Sequence, residues 1–408
     1  MNILMVKSDF SDYSGSVLSM SLGAKAIQEK GHQVYWLHRA GSKTLTIENF
    51  NGSFAAHHIF NRAAYFDPPS LWKEEDEIDR FIHHHNISLI HVEGWPRTST
   101  LRRWTRKYPV VASVRVALCP NHARYQWATR STCDRPIGIS CYTTGYRKLG
   151  CGHLGNGKPY STPAFLRSMV EDHALRNALK HCKGIVTPSS WMKERLAKDN
   201  LPYDKIHVLN PPIVDVDLGC QSQSALPSPD LPVLTFVGRL TNFKGVDHLL
   251  QASAQIEQPH QVWIIGDGEF RGELEEIARH LNITDRVTFW GSCEPTKVRE
   301  LQRQSTAIIV PSLWPEAFGR VGPEAMLLGK PVVGYNVGGI SDWLKDSSTG
   351  KLVTAGDMAG LAQAITELIE NPNRAKQMGE AGRQYAQQWV VDRYGEKLID
   401  LYQKVIIS

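Results

Sequence analysis

The stretch PEAFGRVGPEAMLLGKPVV (315–333) holds two carboxylates, Glu316 and Glu324, eight positions apart. Gly319, Gly322 and Pro323 lie between them. Pro323 suits the first turn of a helix, where its missing N–H costs nothing, and the pattern predicts a helix over 323–329 that stops at Gly329. The free N–H groups and positive dipole end of such a helix would face the loop 318–322, a place for a diphosphate. Gly319 and Gly322 would let the backbone approach it. Glu324 on the first turn could accept hydrogen bonds from a ribose diol. Glu316, on the preceding loop, could reach hydroxyls of a group attached to the diphosphate. Alone, a glutamate pair at this spacing also fits a solvated loop and helix start.

Three further stretches supply what such a ligand needs. In VGRLTNFKG (237–245), Arg239 and Lys244 flank a turn after a strand, two cations for two phosphates. IIGDGEF (264–270) is a strand end bearing Gly266 and Gly268, where a backbone could come close. FWGSC (289–293), with Ser292, could present backbone groups to a base. Cations, close backbone, a base edge and a hydroxyl clamp together describe a sugar nucleotide.

The elements that would position these residues alternate. NILMV (2–6), QVYWL (33–37), SLIHV (88–92), VVASVRV (110–116), GIVTP (184–188) and KIHVL (205–209) read as strands, with a helix over 15–30 ending at Gly31. VLTFVG (233–238), QVWIIG (261–266), RVTFWG (286–291), AIIVPS (307–312) and PVVGY (331–335) repeat the grammar, with a helix over 244–256. The alternation predicts an α/β protein of parallel strands and crossover helices, two Rossmann-like domains facing a cleft. The expected divisions are 1–215, a linker over 216–232 centred on QSQSALPSPDLP, a second domain over 233–385, and a C-terminal helix over 386–408 that packs back on the first domain.

At the level of motifs the second half resembles the retaining glycosyltransferases of family 4, which have the GT-B fold. The matching pieces are GRLTNFKGVDHLLQA, IIGDGEF, VTFWGSC, the glutamate pair and VGGISDWLKDSSTGKLV, with looser matches at GHQV, VTPSSWMKERL and IHVLNPP. The resemblance implies that Arg239 and Lys244 bind the donor diphosphate and that Glu324 holds the ribose. It implies that Glu316 touches the transferred sugar, and that backbone near Phe318, Gly319 and Val321 contacts sugar and phosphate. It further implies a nucleoside-diphosphate (UDP or GDP) sugar as donor and retention at the anomeric carbon by same-face attack. The expected acceptor is a glycan, glycolipid or phosphorylated sugar. No Asp-x-Asp motif is visible, so no cofactor or divalent ion is expected to be required. Two rival readings stay open: an epimerase or hydrolase of sugar nucleotides on the same fold, and a non-catalytic sugar-nucleotide-binding subunit.

The first half departs from the family. Its loop after the first strand, DFSDYSGSVLS, offers one glycine, Gly15, which either opens the helix beside the donor phosphate or merely caps it. Where the family usually has histidine, this chain has Arg115, with Glu93 at the preceding strand end. Arg115 could stabilise the leaving diphosphate, contact an acidic acceptor, or pair with Glu93 as structure.

Cys119, Cys133, Cys141 and Cys151 fall within 33 residues of a basic insertion at about 117–160, with His122 and His153 beside them. They have no paired Cys-x-x-Cys, so ordinary thiols and a structural zinc both remain open. Residues 97–148 carry 11 basic residues against one acid, Asp134. That field favours an anionic acceptor, or peripheral contact with acidic headgroups through a helix face bearing Arg103, Arg106 and Lys107. Nucleic acid is not expected as a partner. No apolar run is long enough to span a bilayer and the start reads as a strand, so the expected location is cytoplasmic, including the inner membrane face.

Overall fold

The computed structural model describes residues 1–8, 15–39, 53–56, 58–60, 69–119, 124–126, 128, 131–151, 161–214 and 229–407. Most of the expected linker, the loop 9–14, His122 and His153 lie outside them.

In the first half, β1 (Asn2–Lys7), β2 (Gln33–Arg39), β3 (Ser53–Ala56), β4 (Leu89–Val92) and β5 (Val110–Ser113) precede a small antiparallel hairpin of β6 (Tyr125–Gln126) and β7 (Ser131–Thr132). β8 (Gly184–Thr187) and β9 (Ile206–Val208) complete a parallel sheet of order β3-β2-β1-β4-β5-β8-β9. The second half gives β10 (Val233–Val237), β11 (Gln261–Ile265), β12 (Val287–Gly291), β13 (Ala307–Val310), β14 (Val332–Tyr335) and β15 (Gly350–Val353). They form a second parallel sheet, β12-β11-β10-β13-β14-β15. The central strands read as continuous apolar runs because helices cover both faces, and each sheet has its own core. The α/β class with two Rossmann-like sheets is therefore present.

The differences from the sequence reading are local. β3 and β15 were not expected; each is a four-residue edge strand. β5 stops at Ser113, so Arg115 lies beyond the strand. The helix expected over 323–329 runs Val321–Leu327 instead, with Pro323 its third residue.

The last helix, Val391–Ile407, lies on the first sheet's side and packs against the helix Gly15–Glu29. The crossing is close. A Cβ on Gly395 would stand 2.6 Å from the Ala26 Cβ, and one on Gly23 would stand 2.7 Å from the Tyr394 ring. The two halves also meet where Ser190 N–H donates to Asp342 Oδ2 at 2.7 Å. Among the described residues no helix is long and apolar enough to cross a membrane.

Candidate active site

In the second sheet, β10 and β13 are neighbours, and the strand order runs outward from them in opposite directions. A doubly wound sheet opens its ligand crevice at that point, outside the carboxyl ends. The loop after β10 carries Arg239 and Lys244, and the loop after β13 carries Glu316 through Glu324. Arg239 is exposed. Lys244 Nζ lies 2.6 Å from Glu316 Oε1, and Ser312 Oγ donates to the same oxygen at 2.8 Å. Lys244 and Glu316 thus come together across the switch point.

Backbone packing fixes these loops. Gly266 (φ +133°) and Gly268 follow β11, and a Cβ on either would fall 1.9 Å from Gly238 O or 2.2 Å from Leu240 O. Their lack of a side chain is thus accounted for by the approach of the β11 loop to the β10 loop. Gly322 has a similar explanation. A Cβ there would sit 2.0 Å from Trp343, whose Nε1 donates to Phe318 O at 2.5 Å. Gly319 alone of the pair needs its freedom for a turn, at φ +82°. Phe318 is buried, so only its backbone faces the loop. Val321 opens a helix of seven residues, which is too short to carry the dipole argument made from sequence. The positive groups at this crevice are instead the side chains of Arg239 and Lys244 after β10.

Beside this loop lies a pocket of about 300 Å³ lined by Cys293, Val298, Arg299, Arg320, Glu324 and, from the first half, Leu18. Burial pushes the half-buried Glu324 carboxyl above the usual range, while Arg320 and Arg299 pull it down. Arg320 Nη2 is 3.1 Å from Glu324 Oε1. Ser292 is exposed, and its neighbour Cys293 forms the pocket wall. Gly15 is brought close, since Arg320 Nη1 points at its carbonyl from 3.5 Å. Arg299, Arg320 and Cys293 escaped sequence reasoning. Only Arg320 left a trace, standing four residues before Glu324 on one helical face.

The first half resolves differently. Arg115 Nε meets Glu93 Oε1 at 2.6 Å, with the Glu93 side chain 1% exposed. Arg115 Nη2 also faces the Tyr394 hydroxyl at 3.5 Å. Of the three readings of Arg115, the structural pair is the one observed. Nearby His91 bonds Ser113 Oγ at 2.8 Å and the Tyr402 hydroxyl at 2.5 Å. Arg103 is a correction. It meets Glu75 at 2.7 Å and Asp76 and Asp79 at 2.9 Å each, so its charge is taken up within the fold. The helix Thr98–Lys107 runs into the start of β5, which puts Arg106 at the amino ends of the strands, away from the cleft. Arg124 is likewise buried against Asp199. Much of the expected basic field is therefore neutralised or turned elsewhere.

Cys119, Cys133, Cys141 and Cys151 lie near enough to influence one another, and burial above all pushes the Cys151 thiol up to about 12. Among the described residues, no group of three or more His, Cys, Asp or Glu is arranged to hold a metal ion.

Comparison with known proteins identifies the family and the fold. A family model described as "Glycosyl transferases group 1" matches residues 221–385, and one described as "Glycosyltransferase Family 4" matches residues 19–217. The chain is 27% identical over 273 residues to a 2-deoxystreptamine glucosyltransferase of Streptomyces kanamyceticus, covering 64% of this chain and 68% of that one. It is 30% identical over 186 residues to a D-inositol 3-phosphate glycosyltransferase of Rhodococcus erythropolis, covering 43% and 42%. In fold it is similar to HepE of Anabaena solved with UDP (TM-score 0.73, 19% identity, 99% and 100% covered). It is also similar to a sucrose-phosphate synthase of Thermosynechococcus elongatus (TM-score 0.71, 18% identity, 100% and 99% covered). With one model on each half and GT-B structures spanning the whole, the chain belongs to glycosyltransferase family 4 and is an enzyme of the GT-B fold.

Proposed function

We propose that the protein transfers a sugar from a UDP- or GDP-sugar to an acceptor, with retention at the anomeric carbon. The observation that carries this reading is the meeting of Lys244 and Glu316 at the β10–β13 switch point, beside the pocket that holds Glu324. Lys244 and Glu316 pair with one another. A diphosphate arriving at Arg239 and Lys244 would take the ammonium as its partner. Glu316 would then be released toward the hydroxyls of the sugar. Glu324 would accept from the ribose diol, with the nucleoside against Cys293 and Val298. Catalysis is mostly positioning, with the two cations stabilising the leaving diphosphate. Retention is the family's expectation, with the donor phosphate accepting the acceptor's proton on the same face.

Support for the donor class comes from HepE, a fold neighbour solved with UDP. For the acceptor, a glycan, glycolipid or sugar-phosphate fits. The relatives named for D-inositol 3-phosphate and for 2-deoxystreptamine have acceptors of opposite charge, so they support a small cyclitol or sugar without favouring a phosphorylated one. The basic segment lends a phosphorylated acceptor little, because Arg103, Arg115 and Arg124 are paired with carboxylates. Any contact with acidic headgroups would use the exposed Arg102 and Arg106 instead, on the side away from the cleft.

Calorimetry with UDP and GDP tests the donor site. Lys244→Ala should lose about 1.5–3 kcal/mol of affinity, the size of a charged hydrogen bond. Unchanged binding in the single alanine variants of Arg239, Lys244 and Glu324 would remove the site from this crevice.

A further inference from the structure

We infer that Arg320 is a positioning residue that ties seating of the donor ribose to closure of the two domains, an inference that rests on the donor reading above. Arg320 immediately precedes the helix Val321–Leu327, and its side chain is 14% exposed. Its Nε and Nη2 lie 3.2 and 3.1 Å from Glu324 Oε1. Both contacts fall on one carboxylate oxygen. The planar fork therefore orients the group proposed to accept the ribose diol, which a lysine ammonium could not do in the same way.

The third nitrogen faces the other domain. Arg320 Nη1 lies 3.5 Å from Gly15 O, on the first turn of the helix Gly15–Glu29, and 3.5 Å from Ser19 Oγ, one turn on. Ser19 Oγ donates to Gly15 O at 2.6 Å, so its lone pairs are turned outward as acceptors. At 3.5 Å these approaches are at the long limit of a hydrogen bond. An ordinary one is about 0.5 Å shorter. A small closing movement would turn two weak contacts into two charge-assisted bonds.

The pocket supports the same coupling, because Leu18 of that first turn forms its wall together with Arg320 and Glu324. Ligand filling this pocket must touch both domains. Arg320 has an electrostatic duty as well. The charged groups facing Glu324 are Arg320 from its own helix start and Arg299 from the helix Pro295–Gln304, and both oppose the upward push of burial. Without Arg320 the carboxyl would protonate at higher pH and accept the diol less well.

The test uses the full chain with UDP and GDP as probes. Affinity is read by calorimetry across pH, and compaction by small-angle scattering. In wild type, the better nucleotide should bind and shrink the radius of gyration. Arg320→Gln should weaken binding by about tenfold, one charge-assisted contact. It should also move the acid loss of binding to higher pH, since the carboxylate form is the acceptor. Arg320→Lys keeps the charge but not the fork, so the acid loss of binding should stay at its wild-type pH while affinity falls by less than in Arg320→Gln and the compaction is lost. If Arg320→Gln does not fold, Arg320→Lys alone decides the matter through compaction. Wild-type affinity, pH dependence and compaction in the variants would overturn the coupling and leave the donor site standing. Nucleotide binding without compaction in wild type would also overturn it. Failure of wild type to bind either nucleotide would remove the donor reading and this inference together.

Discussion

Glu316 pairs with Lys244 at 2.6 Å and accepts from Ser312 at 2.8 Å, contacts a glutamine carbonyl can still accept, so removing its charge should not weaken nucleotide binding at Lys244. Glu316→Gln should leave UDP or GDP affinity within about threefold and lower turnover by about 10²-fold, because the sugar changes in the transition state and the nucleotide does not. Steady-state kinetics beside calorimetry separates the two, and an equal loss of both would place Glu316 on the nucleotide. His91 offers a second residue-scale prediction. Burial above all, and Arg115 beside it, push its pKa down to about 4, while Glu93 opposes them. Both ring nitrogens are engaged by hydroxyls of Ser113 and Tyr402. The folded state therefore refuses a proton that the unfolded chain accepts near pH 6.5. Stability is full above pH 6.5 and falls as pH drops toward 4, by an amount on the order of 3 kcal/mol. Urea midpoints at pH 7 and pH 5 should differ more in wild type than in His91→Asn, and equal differences would contradict the assignment. The sequence shows Glu316, Lys244 and Glu324 through their motifs. It hides the contacts of His91 with Tyr402 and of Arg320 with Gly15, because these partners lie 311 and 305 residues away.

At the scale of elements, most central strands are visible as apolar runs bounded by glycine or proline, because burial on both faces leaves no polar alternation. β3 and β15 are missed for the opposite reason. SFAA and GKLV are short edge strands with partly exposed residues. The shift of the short helix to Val321–Leu327 follows from tertiary packing. Trp343 occupies the space at Gly322 and bonds Phe318 O, which fixes the turn two residues earlier than Pro323 would by itself. The tight helix contact of Gly395 on Ala26 was not legible, since nothing local marks a glycine for a partner some 370 residues away. Gly395→Val should cost about 1–3 kcal/mol by overpacking. Gly272→Ala, in a helix with nothing within 4 Å of the new methyl, should be neutral or stabilising by up to about 1 kcal/mol. Thermal melts of the two variants provide the comparison. A tolerated valine at Gly395 would mean that the last helix is not held against the helix Gly15–Glu29.

Over the whole molecule, charge is where the linear reading misled. Residues 97–148 look like one basic surface. Folding brings Glu75, Asp76 and Asp79 to Arg103, Glu93 to Arg115 and Asp199 to Arg124. Only the fold could show that, because every one of those acids lies outside the segment. The overall design of two parallel sheets was visible from alternation alone, and the motifs of the second half marked the β10–β13 crevice as a candidate donor site. The central claim is that this crevice binds a nucleoside-diphosphate sugar. Thermal stabilisation by a panel of such sugars tests it most directly. One nucleotide class should raise the melting temperature, by an equivalent of about 2.7 kcal/mol at a hundredfold excess over Kd. The same sugar at the same concentration should stabilise Lys244→Ala and Glu324→Ala by much less. No stabilisation by any nucleotide sugar, or equal stabilisation of wild type and both variants, would contradict the account.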